Sequence, residues 1–239
     1  MVATRAAFLD ANVLRGQLTN DIMMSLAHER LYVPQWSPDV LAEARRNRPQ
    51  RVSGEAIDSR FAQMNKVFPA AMTTGYESLM PQMQADDKDR HVLAAAVHGG
   101  SDVLVTENTK DFHPPSGGPH AMKVERTSQF LNRLLEDHPR EVVGALQKMV
   151  DRNRRTPQTM PELIDKMVTQ QDLKGFAHKL NAVVPPEQRG NHPTLQTTQA
   201  AKAALDGVAP PQGAITQPTD ASKARKNLDG PEKSADREL

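Results

Sequence analysis

Short apolar runs alternate with longer amphipathic segments through the first 126 residues, and this alternation constrains the fold more than any other feature. It is typical of a parallel sheet whose strands are joined by helices. We therefore expect an α/β fold with a mainly parallel sheet. The predicted strands are AAFL (6–9), LYV (31–33), DVLVT (102–106) and AMKVE (121–125), and the predicted helices cover 16–30, 38–47, 53–67 and 86–98.

The pattern changes after residue 126. Residues 127–184 have helical periodicity, and Pro139 and Pro161 stand where first-turn prolines belong. We predict three or four short helices, which either form a small bundle or pack on the first domain. After Phe176 the 239-residue chain contains seven prolines and no aromatic residue, so we predict a disordered tail. The predicted domains are 1–126, 127–184 and 185–239.

Composition limits the function classes. The chain has no Cys, which excludes disulfides, thiolate metal sites and Cys nucleophiles and favours a cytoplasmic location. Thirty basic and 29 acidic residues leave a net charge of +1, so any nucleic-acid affinity must come from local patches. The apolar runs at 6–9 and 92–97 are too short for a signal peptide or a membrane span, so we expect no membrane partner.

Four acidic residues occupy positions where a merely solvated acid is not expected. Asp10 ends an apolar strand, so it should lie at the carboxyl edge of the sheet, where open α/β sheets bind ligands. Asp89 falls on the apolar stripe of its predicted helix, and Glu43 lies close to the apolar side of another. Asp111 follows a strand after one short turn. Each acid has an ordinary explanation as a helix-start or turn residue, but the combination predicts one cluster.

Such a cluster needs a neutralising partner. Two carboxylates roughly 4 Å apart repel by about 4 kcal/mol at an effective dielectric constant of about 20, so they stay together only with a cation or a shared proton. The histidines show no metal-binding spacing, and His91 is interpreted as a structural or surface group. Oxygen ligands without Cys or a His pair favour Mg²⁺ or Mn²⁺ over Zn²⁺.

Four sequence blocks resemble the signature of PIN-domain ribonucleases over roughly residues 4–126. Their order and spacing are similar to those of the VapC toxins of toxin–antitoxin pairs. Any one block is a weak signal, whereas the combination is specific. The blocks are FLDANVL with Asp10 and Asn12, LAEARRN with Glu43, DDKDRHVLAAA with Asp89, and LVTENTKDF with Thr106, Asn108 and Asp111.

The resemblance implies a PIN-like three-layer fold and a divalent-metal-dependent endoribonuclease that hydrolyses RNA phosphodiester bonds with metal-activated water. It implies catalytic roles for Asp10, Glu43, Asp89 and Asp111, with Mg²⁺ or Mn²⁺ bound by the three aspartates. The implied partners are an RNA substrate, such as tRNA or another structured RNA, and a cognate antitoxin. A homodimer is an open alternative.

Three polar residues have supporting roles by the same resemblance. Asn12 and Thr106 would orient ligands or phosphate oxygens. Relatives differ at the position of Asn108, and many carry an Asp there. Asn108 and Asp111 therefore remain alternatives for the fourth ligand role.

Two basic runs are candidates for phosphate contacts. Arg45, Arg46 and Arg48 are the predicted RNA-contacting residues, although a solvated helix end explains them equally well. The second run, at 152–155, is interpreted as the surface of an interhelical loop.

Two other functions compete with cleavage of RNA. A degenerate PIN module would bind RNA or protein without cleavage, but all four acid positions are filled. A haloacid dehalogenase-like phosphatase would use Asp10 as a nucleophile. Its Asp-x-Asp strand end has Asn12 as the second residue here, and no convincing Lys-containing block follows. Metal-dependent cleavage of RNA separates these readings.

Overall fold

A computed structural model describes residues 5–196. It contains a four-stranded parallel sheet in the order β2–β1–β3–β4, so the α/β prediction is confirmed. The strands are β1 (Ala6–Leu9), β2 (Val33–Gln35), β3 (Val103–Val105) and β4 (Lys123–Glu125). The helices are α1 (Ala11–Leu14), α2 (Gln17–His28), α3 (Pro38–Arg46), α4 (Gly54–Val67), α5 (Arg90–His98), α6 (Thr127–Asp137), α7 (Pro139–Arg152), α8 (Met160–Val168) and α9 (Lys174–Val183). Short 3₁₀ turns lie at Glu77–Gln82, Thr109–Asp111 and Pro186–Gln188.

Helix starts follow local capping rules. Ser37 accepts a hydrogen bond from the Val40 amide at the start of α3, and Ser53 accepts one from the Ala56 amide at the start of α4. Pro139 occupies the first turn of α7, where its missing amide hydrogen costs no helical hydrogen bond. These boundaries lie within one residue of the predicted ones because they depend on neighbouring residues.

Strand β2 lies two residues later than predicted. The Leu31 amide still donates to the Leu26 carbonyl in the turn that follows α2, so the extended strand begins only after this point. Pairing with β1 begins at Val33 and passes through Pro34. A proline cannot donate to a sheet ladder, but β2 is an edge strand, where this loss is tolerated.

Helix α5 begins at Arg90 rather than at residue 86. Asp86 to Asp89 form a turn, in which the Asp89 amide donates to the Asp86 carbonyl over 2.8 Å. Asp89 occupies the N-cap position but its side chain makes no capping hydrogen bond. Asp89 therefore lies at the start of α5 rather than inside it, and its carboxylate, on a side chain that is 13% exposed, is left available for other contacts.

The helical region 127–184 packs on the first domain instead of forming a separate bundle. Tyr32, which precedes β2, meets Phe130 of α6 edge to face, with 5.0 Å between ring centroids. Helix α7 packs against α2, and Thr19 of α2 donates to Asp172 over 2.6 Å. Strand β4 ends at Glu125 and α6 begins at Thr127, and residues on both sides of this junction belong to one core.

The predicted start of the disordered tail needs correction. Residues 185–196 are described, and Leu195 among them is 2% exposed in the core. Gly190 packs so closely that an added Cβ would lie 2.5 Å from Asp165 Oδ1. These contacts involve side chains far apart in sequence, which composition does not register. The rest of the predicted tail, 197–239, lies outside the described residues.

None of the helices within residues 5–196 has the length and apolar character needed to cross a membrane.

Candidate active site

Asp10 lies directly after β1, as predicted, and it is also the N-cap residue of α1. Its side chain is almost fully buried. The Ala11 amide donates to Oδ1 over 2.6 Å, and both Asn12 Nδ2 and the Thr106 hydroxyl donate to Oδ2 over 2.6 Å. These three bonds hold the carboxylate at the carboxyl edge of β1 and β3.

The predicted supporting residues form one network around Asp10. Asn12 Nδ2 also donates to the Thr106 hydroxyl over 3.0 Å, and Asn12 Oδ1 accepts from the Glu107 amide. Asn108 joins through its backbone amide, which donates to the Thr106 hydroxyl over 3.1 Å. The structure thus brings Asn12 and Thr106 to Asp10 by side chain, and Asn108 by backbone.

The surroundings of the Asp10 carboxyl disfavour its ionised form. Burial raises its pKa from 3.8 to about 6, and the charges of Glu43 and Asp89 also raise it. The hydrogen bonds from Thr106 and Ala11 oppose this pKa increase. An acid that is costly to ionise in the folded state marks a functional-site candidate.

A compact group of carboxylates centres on Asp89. One carboxylate oxygen from each of Asp86, Asp89 and Asp111 lies within 4.8 Å of the other two. Burial raises the pKa of Asp89, and the charges of Asp111, Glu43 and Asp86 add to this effect, while Lys88 opposes it. Asp89 therefore links this group to the Asp10 region. We call Asp10, Glu43, Asp86, Asp89 and Asp111 the acidic edge.

Asp89 also has an unsatisfied oxygen. Its Oδ2 atom is buried and has no hydrogen-bond partner among the described residues. Lys88 Nζ approaches this oxygen only to 4.0 Å, which is too long for a hydrogen bond. A buried acceptor without a donor is costly, so the arrangement suits an added cation.

Glu43 reaches the site from α3 and faces His91. The distance from His91 Nε2 to Glu43 Oε2 is 3.6 Å, and Nε2 is buried without a hydrogen-bond partner in the described part of the chain. The interpretation of His91 as a structural or surface group therefore overlooked a direct neighbour of Glu43.

Sequence reasoning missed Asp86. Its signal is the run DDKD, which offers three acids before α5. A helix predicted to start at residue 86 concealed the turn that brings Asp86 back to Asp89. Of the predicted metal ligands, Asp89 and Asp111 belong to the three-carboxylate group, whereas Asp10 lies outside it and interacts with Asp89 through its charge.

The predicted RNA-contacting arginines are partly engaged within the chain. Arg45 donates to both carboxylate oxygens of Asp58, over 2.6 and 3.0 Å. Arg48 donates to the carbonyl oxygens of Val52 and Arg45. Arg46 is exposed. Two of the three guanidinium groups therefore stabilise the α3–α4 connection.

Comparisons with known proteins give matches to one family model and to one curated relative. Residues 128–182 match the family model described as the VapC50 C-terminal domain. The chain is 30% identical over 140 residues to the "Putative ribonuclease VapC50" of Mycobacterium tuberculosis (strain ATCC 25618 / H37Rv), in an alignment covering 57% of this chain and 82% of that protein. The chain belongs to the VapC family of PIN-domain ribonucleases. No solved structure gives a significant match.

VapC-family membership confirms the resemblance stated from the four sequence blocks. It makes the chain a nuclease of VapC type at the level of the family. The C-terminal match covers α6 to α9, so the helical region is a recognised part of such proteins rather than an unrelated addition.

Proposed function

We propose that this VapC-family protein is a divalent-metal-dependent endoribonuclease and the toxin of a toxin–antitoxin pair. The observation that carries the proposal is the carboxylate group around Asp89. Three carboxylate oxygens lie within 4.8 Å of one another, and Asp89 among them keeps a buried oxygen that accepts no hydrogen bond within residues 5–196 and has Lys88 Nζ only at 4.0 Å. The edge of a parallel sheet, where strand ends open to solvent, is the usual place for such a site.

The residues fit Mg²⁺ or Mn²⁺. Both ions prefer carboxylate oxygens, and the site offers no sulfur ligand. Asp89 and Asp111 are the proposed core ligands, with Asp10 and Asp86 as candidates for a third position. When bound, the cation supplies Lewis acidity that turns water into a nucleophile near neutral pH and offsets phosphate charge.

We assign the orientation of Asp10 and the acceptance of a proton to separate side chains of the site. Asn12 and Thr106 hold the Asp10 carboxylate in one orientation through hydrogen bonds. Glu43, with a side chain 29% exposed, is the proposed proton acceptor for the attacking water, because it interacts with both Asp10 and Asp89. Fixed carboxylates on separate elements thereby position the reacting groups before substrate arrives.

The partners follow from the same proposal. The substrate would be tRNA or another structured RNA, and a cognate antitoxin would block the acidic edge until it is removed. We base both partners, a possible homodimer and a cytoplasmic location on membership of the VapC family.

The decisive experiment incubates the full chain with total RNA in Mn²⁺ or in chelator and maps new RNA ends. Asp89→Asn should lower cleavage at least 100-fold, since an essential charged group is lost. Asp87→Asn is the matched control, because its side chain lies in the same run but is 90% exposed and pairs with Arg90. The control should cleave like wild type.

Two outcomes would contradict the proposal. Equal activity of wild type and Asp89→Asn would show that the cleavage does not use the acidic edge. RNA binding without Mn²⁺-dependent new ends, in wild type itself, would identify a degenerate module instead of a nuclease.

A further inference from the structure

A second charged surface lies between α2, α4 and the loop that joins α7 to α8. Two adjoining cavities of ≈ 890 and ≈ 520 Å³ form it. We call it the α2–α7 groove. No residue of the acidic edge is among the described residues that line it. The residues common to both cavities are Gln17, Asp21, Arg51, Met149 and Asn153.

The charge of the groove differs from that of the whole chain. Asp21 is the one carboxylate among its described lining residues, although the chain carries a net charge of only +1. The fixed cations lining the groove are Arg51, Arg60, Arg152, Arg154, Arg155 and Lys166. A local surplus of this kind attracts polyanions even when the net charge is near zero.

Several of these cations have an unpartnered guanidinium group within residues 5–196. Arg60 Nη1 is buried with no hydrogen-bond partner among the described residues. The side chains of Arg51, Arg154 and Arg155 likewise make no hydrogen bond or ion pair within residues 5–196. Asp21 interacts with Arg60, but its single negative charge cannot neutralise all the cations that line the groove. The groove is therefore prepared for an external anion.

The groove depends on the helical region. Arg152, Arg154, Arg155 and Lys166 come from α7, α8 and their connection, whereas Arg51 and Arg60 come from the first domain. Docking of α7 on α2 brings the two sets together. The run at 152–155, interpreted from sequence as ordinary surface, is thus half of a two-sided basic groove.

The chemistry of the groove favours a nucleic-acid backbone. Five of its six fixed cations are arginines, whose planar guanidinium groups suit phosphate oxygens. The larger cavity also presents apolar surface from Met24, Val67 and Phe68, against which bases can pack. An acidic peptide could pair with the cations, but it has no bases to pack on the apolar surface beside them.

We infer that the α2–α7 groove binds the phosphate backbone of single-stranded RNA at a second contact surface, separate from the acidic edge. This inference rests on the proposed ribonuclease function for the choice of RNA as ligand. It assigns the VapC50 C-terminal region a role in holding substrate.

The test measures binding of a labelled single-stranded oligouridine to the full chain in chelator, across a range of salt concentrations. Arg154→Gln/Arg155→Gln removes two exposed cations whose side chains make no hydrogen bond or ion pair in the described part of the chain. The matched control is Arg140→Gln/Lys174→Gln, which removes two exposed cations outside the groove. Thermal melts of both variants should equal that of wild type.

The groove variant should bind the oligouridine roughly tenfold more weakly near physiological salt. The slope of log binding constant against log salt concentration should become shallower by about 1.4, because two phosphate contacts are lost. The control should keep both values. An equal loss of RNA affinity in both variants, or no loss in either, would overturn the inference. In the second case RNA is excluded as the ligand of the groove, and a protein partner is the next candidate.

Cleavage with Mn²⁺, measured on the same preparations, separates this inference from the proposed function. If wild type does not cleave RNA but the groove variant binds it more weakly than the control does, the nuclease proposal fails while the groove inference holds. If wild type cleaves RNA and the groove variant keeps full affinity, the reverse is true.

Discussion

The acidic edge and the helical region differ in what their buried groups contribute to the free energy of folding. At the acidic edge, Asp10 is buried with a pKa raised to about 6, and Asp89 keeps an oxygen without a donor. In the helical region, Phe176 and Leu163 are fully buried in apolar surroundings, and Arg133 pairs with Glu125 of the adjoining β4 over 2.9 Å. The first arrangement costs folding free energy, and the second supplies it.

This contrast indicates a division of roles within one compact unit. Functional sites commonly retain destabilising groups, and the surrounding structure compensates for them. Removing a side chain from the helical region should therefore destabilise the protein, whereas neutralising one at the acidic edge should stabilise it and abolish activity. Phe176→Ala and Asp10→Asn test this contrast directly, and Leu195→Ala extends it to the segment that follows the helical region.

The largest effect is expected from Phe176→Ala in α9. Phe176 is fully buried, so the substitution removes apolar contacts and leaves a cavity. We expect a loss of about 3–5 kcal/mol in the free energy of unfolding, measured by denaturant titration. The control is Val183→Ala, because Val183 lies on the same helix with 47% exposure and should change stability by less than about 0.5 kcal/mol. Equal effects of the two variants would mean that α9 does not contribute to the core.

A smaller loss is expected from Leu195→Ala. Leu195 is buried near the end of the described chain, beyond the predicted start of the disordered tail. Its burial should contribute about 2 kcal/mol to the free energy of unfolding, whereas Gln196→Ala, at an exposed neighbour, should have no effect. If Leu195→Ala unfolds like wild type, the burial of Leu195 adds nothing to the free energy of unfolding.

The smallest change, with the opposite sign, is expected from Asp10→Asn in chelator. A carboxyl whose pKa rises from 3.8 to about 6 on folding destabilises the native state by about 3 kcal/mol once it is ionised. Asn removes this cost but loses one hydrogen-bond acceptor, which offsets about 1–2 kcal/mol. The net gain above pH 6 should be about 1–2 kcal/mol.

The pH dependence gives the sign of this prediction a separate check. Below pH 3.8 the Asp10 carboxyl is protonated in both the folded and unfolded states, so its pKa shift costs nothing. Between pH 3.8 and about 6, wild type should lose stability relative to Asp10→Asn, and the difference should then stay constant. Denaturant titrations at several pH values measure it. A variant less stable than wild type at every pH would identify Asp10 as a structural acid.

Much of the first domain could be predicted from local sequence patterns. Strand β1 has the predicted bounds, and Asp10 follows it, because a four-residue apolar run ending in an acid needs no distant information. The Glu43, Asp89 and Asp111 positions were predicted from their own helices and turns. Asp86 was not, because its approach to Asp89 depends on a turn that competes with helix formation.

The sequence by itself therefore determined the α/β class, the strand that delivers Asp10 and the four blocks of the VapC family, since these depend on residues near one another in the chain. Only the tertiary structure decided which charges meet. Arg45 resembles Arg154 in sequence context, yet Arg45 pairs with Asp58 while Arg154 lines a groove with Arg51. Charge pairing depends on distances between separate segments: packing of α3 on α4 brings Arg45 to Asp58, whereas packing of α7 on α2 forms the groove that Arg154 and Arg51 line.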